Sequence, residues 1–164
     1  MTHYGTTHHL THRHEAFLAW RKTSFAERSV PIRRVAHMLL DHERKYGAIM
    51  SREMGKPIRG AVDEVRACAW LCDHFAEYAE TMLSREPIPT SARRSYVTFN
   101  PLGVILGVEP WNWPFHQVFR VVVPALMAGN AVVVKHASNV PGCALAIEDI
   151  FHKAGIPQDL LRML

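Results

Sequence analysis

Apolar positions along this chain change period near residue 92, and the change divides it. Before that point they recur three or four residues apart, the spacing of one helix face. Ile32, Val35, Ala36 and Leu39 form one such stripe. Ala61, Val65, Cys68, Cys72, Phe75 and Ala79 form a longer one, the clearest helical signal in the sequence. Between the two stripes a helix is expected over about 43–53, stopped by Gly55 and Pro57. Ser24, with Glu27 three residues on, has the spacing of a capping box, and Pro31 should kink the helix that follows or mark its start.

After a connector containing Pro87 and Pro89, residues 95–99 alternate as a short strand. Residues 103–108 are a β-branched run bounded by Pro101 and Pro110, the pattern of a strand covered on both faces. Pro114 suits a first helical turn, where its missing N–H has no partner to lose, and 115–127 continue with only Pro124 as a breaker. Ala128-Gly129-Asn130 closes that helix, 131–134 read as a second buried strand, and Lys135 and Ser138 emerge at its carboxyl end. A strand, crossover helix and parallel strand bind ligands at that end. A further helix over 141–154 stops at Gly155-Ile156-Pro157, and 160–164 open an apolar run like the start of another strand.

The fold class that follows is α/β, with N-terminal helices leading into an incomplete parallel βαβ unit, which the resemblance given below implies is an incomplete Rossmann-like cofactor-binding domain. Its expected divisions are a disordered tail at 1–14, a helical segment at 15–92, a connecting strand at 93–101 and the Rossmann-like part at 102–164, where a sheet reads as cut through.

Composition narrows the classes without naming one. With 164 residues, 48% hydrophobic and 21% charged, the chain can bury one ordinary core. The net charge of +4 resides in residues 1–100, with 15 basic and 11 acidic side chains, while 101–164 hold four of each. That reads as a solvated helical surface, without the dense basic stripe of a nucleic-acid binder. No apolar run reaches the roughly 18 residues needed to span a bilayer, and the N-terminus lacks the pattern of a signal peptide, so no membrane partner and a cytoplasmic location are expected.

Three cysteines, an odd number in a chain without an export signal, argue for reduced thiols. Cys68 and Cys72 fall on the long apolar stripe and read as packing residues. Cys143 lies near a helix start, where the dipole could lower its pKa, yet no base or oxyanion donor can be assigned to it, so it too reads as packing. Five of the eleven histidines lie in 1–14, and His12, His14 and Glu15 form no closed metal ligand set. The run Glu53-Met54-Gly55-Lys56-Pro57 lacks the remaining residues of a phosphate loop and reads as a helix stop.

Several separated motifs carry a resemblance. Pro110-Trp111-Asn112-Trp113-Pro114 is followed by Pro124-Ala125-Leu126, Gly129-Asn130 and Val132-Val133-Val134-Lys135; Trp20, the Gly-Lys-Pro segment and Asn100-Pro101-Leu102-Gly103-Val104 precede them. In this order, over 17–164, the chain resembles the aldehyde dehydrogenase superfamily. Such enzymes oxidise an aldehyde by attack of a cysteine thiolate, hydride transfer to a nicotinamide and glutamate-assisted hydrolysis of a thioester.

The resemblance implies roles. Asn112 would donate its amide to the developing oxyanion, a contact whose loss typically costs about 3 to 4 kcal/mol of barrier; the alternative is an Asn that caps the following helix. Lys135 would bind the adenosine ribose, and Val108, Glu109, Pro110 and Trp111 would line the nicotinamide side of the cofactor cleft. At the position of Ser138 many NAD-preferring relatives have a glutamate, so serine favours acceptance of NADP, with NAD still open. Trp113, Gln117 and Arg120 share a helix face that borders the aldehyde tunnel in relatives. An arginine at this spacing is similar to that of succinate-semialdehyde dehydrogenases, where its fork suits a substrate carboxylate; the alternative is a surface arginine paired with a nearby acid.

In relatives the second cofactor motif, the general-base glutamate and the nucleophilic cysteine lie beyond the counterpart of Leu164. The chain alone is therefore expected to be inactive. Two readings follow: an N-terminal piece of an NAD(P)-dependent aldehyde dehydrogenase whose parent is a homo-oligomer, or a non-catalytic module that pairs with an intact homologous subunit or weakly binds nucleotide.

Overall fold

A computed structural model describes the backbone of residues 4–164 and the side chains of residues 12–164. The helical half follows its stripes. α1 (Tyr4–Trp20) buries Phe17 and Trp20 near its end. α2 (Phe25–Asp41) starts at the expected capping box: Ser24 Oγ accepts from the Glu27 N–H, and the Glu27 carboxylate accepts from the Ser24 N–H. Pro31 lies inside α2 and is buried. The cap and the buried Ile32, Val35, Ala36 and Leu39 carry the helix through a residue that costs about 3 kcal/mol in an unsupported interior. α3 (Glu43–Met54) ends at Gly55, whose φ of 73° is left-handed and whose N–H bonds the Ser51 carbonyl. α4 (Ile58–Met82) buries five of the six stripe residues, Phe75 being partly covered.

β1 (Glu86–Pro87) and β2 (Tyr96–Val97) form an exposed antiparallel pair, shorter than the expected strand over 95–99. Next come β3 (Val104–Glu109), α5 (His116–Met127), β4 (Ala131–His136), α6 (Pro141–Lys153) and β5 (Leu161–Met163). The three strands are parallel in the order β3-β4-β5, with Leu106 opposite Val133, Val108 opposite Lys135 and Glu109 opposite His136. The result is a βαβαβ unit in three layers: α2–α4 outside, α5 and α6 between, and the sheet beneath.

The central helix is α5, which buries Val118, Phe119, Val122, Val123, Leu126 and Met127. Its two ends receive opposite charges from the outer layer, as the helix dipole favours. At the carboxyl end the buried Arg28 donates to the Met127 carbonyl and Trp20 Nε1 donates to the Leu126 carbonyl, both at 2.9 Å. At the amino end stands Glu64, described below. Gly129 (φ 93°) then turns the chain into β4, and the Asn130 side chain ties β3 to the helix end, accepting from the Gly103 N–H and donating to the Ala125 carbonyl.

Two expectations are corrected. β3 is not covered on both faces: Val104, Leu106 and Val108 are exposed, Leu106 at 63% and Val108 at 71%. It is an edge strand packed by α5 and touched by α1, with Leu106 and Val108 left uncovered, whereas β4, inside the sheet, has every residue buried except Lys135. The tail expected at 1–14 is helical from Tyr4 on, because α1 extends back from a packed end against β4 and β3. Residues 1–3, and the side chains of the histidines at 3, 8 and 9, lie outside the described residues. His12 pairs with Glu15 at 3.6 Å, and no three metal-binding side chains cluster among the described residues. No helix among them is long and apolar enough to cross a membrane.

Candidate active site

The carboxyl ends of β3 and β4 carry the candidate residues. From β3 the chain passes through an irregular turn at 110–113 into a helical turn that opens with the Trp113 carbonyl accepting from the Gln117 N–H. Pro114 thus occupies a first-turn position, where its missing N–H leaves nothing unpaired. Pro110, Trp111, Asn112 and Trp113 are all exposed.

Asn112 is not the cap of α5. The N-cap position is Phe115, and no side chain of the turn bonds the helix end. That duty falls to Glu64 of α4, fully buried, whose Oε1 accepts from the N–H groups of both Phe115 and His116 at 2.9 Å. Its other oxygen pairs with Lys56 Nζ, which also lies 3.8 Å from the centre of the Trp113 ring. The Asn112 amide therefore has no capping contact to give up.

The β4 end reaches the same turn. His136 is buried; its Nδ1 accepts from the Ala137 N–H at 2.8 Å, which leaves the proton on Nε2 to donate to the Pro114 carbonyl at 2.9 Å. Burial holds its pKa below the ordinary imidazole value, against the pull of the carbonyls it faces. Burial likewise lowers His116.

Val108 and Lys135 are register partners and both exposed, so they stand side by side on the sheet face away from α5. The Lys135 ammonium bonds the His136 carbonyl at 2.6 Å. Ser138 is exposed in the loop before α6 and makes no contact that joins it to Lys135. Glu109 is partly buried on the opposite face; burial raises its carboxyl pKa and nearby Arg120 opposes the rise. Arg120 is exposed and its guanidinium donates to Gln117 Oε1 at 3.3 Å, with no ion pair among the described residues.

The three thiols are buried and held protonated. Burial raises Cys68 and Cys72 well above the ordinary thiol value, and burial reinforced by Glu53 does the same for Cys143. Any lowering by the α6 dipole is overridden, first by burial and then by the Glu53 carboxylate, which itself caps that helix, accepting from the N–H groups of Gly142 and Cys143 at 2.6 and 2.9 Å.

Glu64, Lys56, His136 and Glu53 are additions to the residues read from sequence. Glu64 lies on the apolar stripe of α4, three residues after Ala61 and four before Cys68, and a carboxylate there is a legible signal. His136 continues the alternation of Val132 and Val134 onto the buried face. Glu53 gives no local signal, its partners being some ninety positions away.

The aldehyde dehydrogenase family model matches residues 6–164. A probable succinate-semialdehyde dehydrogenase (NADP+) of Synechocystis sp. is 47% identical over 150 residues, 92% of this chain and 33% of that protein. Succinate semialdehyde dehydrogenase (NAD(P)+) Sad of Escherichia coli is 42% identical over 87% of this chain and 31% of its own length. Among solved structures, succinic semialdehyde dehydrogenase of Streptococcus pyogenes, in complex with NADP+, aligns with a TM-score of 0.94 and 36% identity over all of this chain and 36% of that one. The chain thus spans about a third of the length of the curated relatives it matches.

Proposed function

The chain belongs to the aldehyde dehydrogenase family, and on that premise we propose that it is the N-terminal part of an NAD(P)-dependent enzyme that oxidises an aldehyde bearing a remote carboxylate, succinic semialdehyde or one like it, to the corresponding acid. The observation that carries the reading is the Asn112 turn: its helix end is satisfied by Glu64, so the exposed Asn112 amide is left to donate to an oxygen that gains charge. The nucleophile and general base belong to the remainder of the enzyme, since Cys68, Cys72 and Cys143 are buried and held as thiols.

The open sheet face fits a dinucleotide. Leu106 and Val108 offer an apolar floor, Lys135 stands beside it, and Ser138 is exposed in the following loop. A nicotinamide dinucleotide bound there would supply the hydride acceptor. Lys135 would hold a ribose hydroxyl, the chain from Val108 to Trp111 would wall the cleft and exclude water, and Ser138 would put no negative charge against a 2'-phosphate. NADP is accepted on that ground, and NAD remains compatible with it.

Arg120 and Gln117 form the carboxylate end of the substrate site, with Trp113 in the turn before the helix, its ring against Lys56 and His116. The guanidinium makes no close ion pair among the described residues, feels Glu109 only at a distance and is oriented by Gln117, which supports a bidentate hold on the substrate. In the full-length enzyme, Arg120→Ala should raise KM for succinic semialdehyde and leave a neutral aldehyde of similar length nearly unaffected. Equal losses on both substrates contradict the assignment.

A non-catalytic module pairing with an intact homologous subunit is the second reading, favoured by one observation: β3 presents a free edge with exposed Leu106 and Val108. Co-purification of the chain with such a subunit, with no change in that subunit's turnover, supports it.

A further inference from the structure

An oxyanion donor on an irregular turn helps catalysis only if the turn does not move as charge develops. Three separate elements converge on this one. From α4, the fully buried Glu64 carboxylate takes the N–H groups of Phe115 and His116. From the end of β4, buried His136 takes the Pro114 carbonyl between them and Asn112. From the α3–α4 linker, Lys56 pairs with the second Glu64 oxygen and covers the Trp113 ring. The exposed Asn112 side chain stands just before a backbone whose Pro114 carbonyl and Phe115 and His116 N–H groups are all held.

We propose that Glu64 and His136 are positioning residues that fix the turn carrying Asn112, so that its amide is set in place before the aldehyde arrives. This rests on the oxyanion role assigned to Asn112 above. Plain helix capping explains only part of the geometry. Glu53 shows what capping alone looks like: it takes two N–H groups at the start of α6, with no histidine on the carbonyl side. At α5 the carbonyl of Pro114 and the ring of Trp113, both on the Asn112 side of the cap, are held as well. A carboxylate buried without exposure on an otherwise apolar stripe, paired with a lysine from another segment, is also a costly way to end a helix that a serine could cap.

Two measurements test it. The first uses the 164-residue chain: amide hydrogen exchange, read residue by residue. Glu64→Ala and His136→Phe should lower protection at Phe115 and His116 by about tenfold or more, while Val132, Val133 and Val134 in β4 keep theirs. Unchanged protection in both variants overturns the proposal. The second uses the full-length enzyme. Both variants should lower kcat roughly tenfold to a hundredfold with KM for NADP nearly unchanged, since a small displacement of a catalytic donor is enough for that loss. Glu64→Gln keeps an oxygen for the two N–H groups and should recover most of kcat. Arg28→Lys loosens the far end of α5 and should cost stability without cost in kcat. A loss in Arg28→Lys equal to that in Glu64→Ala, or no recovery with Glu64→Gln, overturns the positioning role and leaves a purely structural one. Absence of turnover in the unsubstituted full-length enzyme sinks the dehydrogenase reading instead, and the exchange result then decides by itself whether the turn is held.

Discussion

Ser138 and His136, two residues apart, make separate demands on the solvent side and the buried side of the same strand end. Ser138 is exposed and uncharged, so replacing it by glutamate adds a negative charge where the proposed 2'-phosphate sits. Ser138→Glu in the full-length enzyme should lower kcat/KM with NADP by about tenfold or more relative to NAD, the size expected of one repelling charge in a partly desolvated site. An unchanged cofactor ratio removes Ser138 from the site. His136 is buried as the neutral ring, with its pKa lowered by burial; Lys135 pushes the same way and Glu53 opposes. The unfolded chain takes up a proton at the ordinary value of about 6.5, so below it the unfolded state binds more protons than the folded one. His136 thus contributes stability that is full above pH about 6.5 and lost as pH falls through its lowered folded value, with His116 acting in the same direction. Urea midpoints should fall between pH 7.5 and 5.5, and His136→Phe should flatten the slope; an equal slope in the variant denies His136 that part.

At the scale of elements, the central fact is that α5 is fastened at both ends by the outer helical layer. Glu64 meets its amino end and Arg28 its carboxyl end, each with the sign the helix dipole favours. Gly129 makes the second fastening possible: its φ is 93°, and a Cβ there would lie 3.0 Å from Arg28 Nη1. Gly129→Ala should destabilise the chain by about 1–3 kcal/mol through a left-handed backbone and a displaced guanidinium. Thermal melting checks it, and an unchanged midpoint contradicts it. The sequence made some of these elements plain. The Ser24–Glu27 box, the Gly55 stop and the α4 stripe depend on residues a few positions apart, and their spacing is their evidence. The faces of β3 were not legible, because the run at 103–108 has the same composition whether its strand is interior or at an edge. Its place beside β4 alone decides that. The Glu53 cap of α6 was hidden for a similar reason, being set by how α3 lies on α6. The start of α1 escaped because its first ten residues show no apolar period; packing at Phe17 and Trp20 supports a helix that its own pattern does not announce.

For the whole molecule, three layers serve one edge of a sheet. The outer helices send Glu64 and Glu53 to the amino ends of α5 and α6, the sheet sends His136 to the turn between β3 and α5, and the face away from α5 stays open at Leu106 and Val108. The residues proposed for the site were visible in the sequence, Asn112 and Lys135 in their motifs and Arg120 by its spacing from the first of them. What supports them was not, since Glu64 and Phe115 are fifty-one residues apart and meet only through the packing of α4 on α5. The chain spans about a third of the relatives it matches, and the donor, cofactor floor and carboxylate clamp proposed for it act on groups supplied by the rest of the enzyme. Steady-state kinetics of Asn112→Ala in the full-length enzyme, with NADP and succinic semialdehyde, test that account most directly. A fall in kcat of about a hundredfold to a thousandfold with KM for NADP unchanged is the predicted result. A kcat equal to that of the unsubstituted enzyme contradicts it.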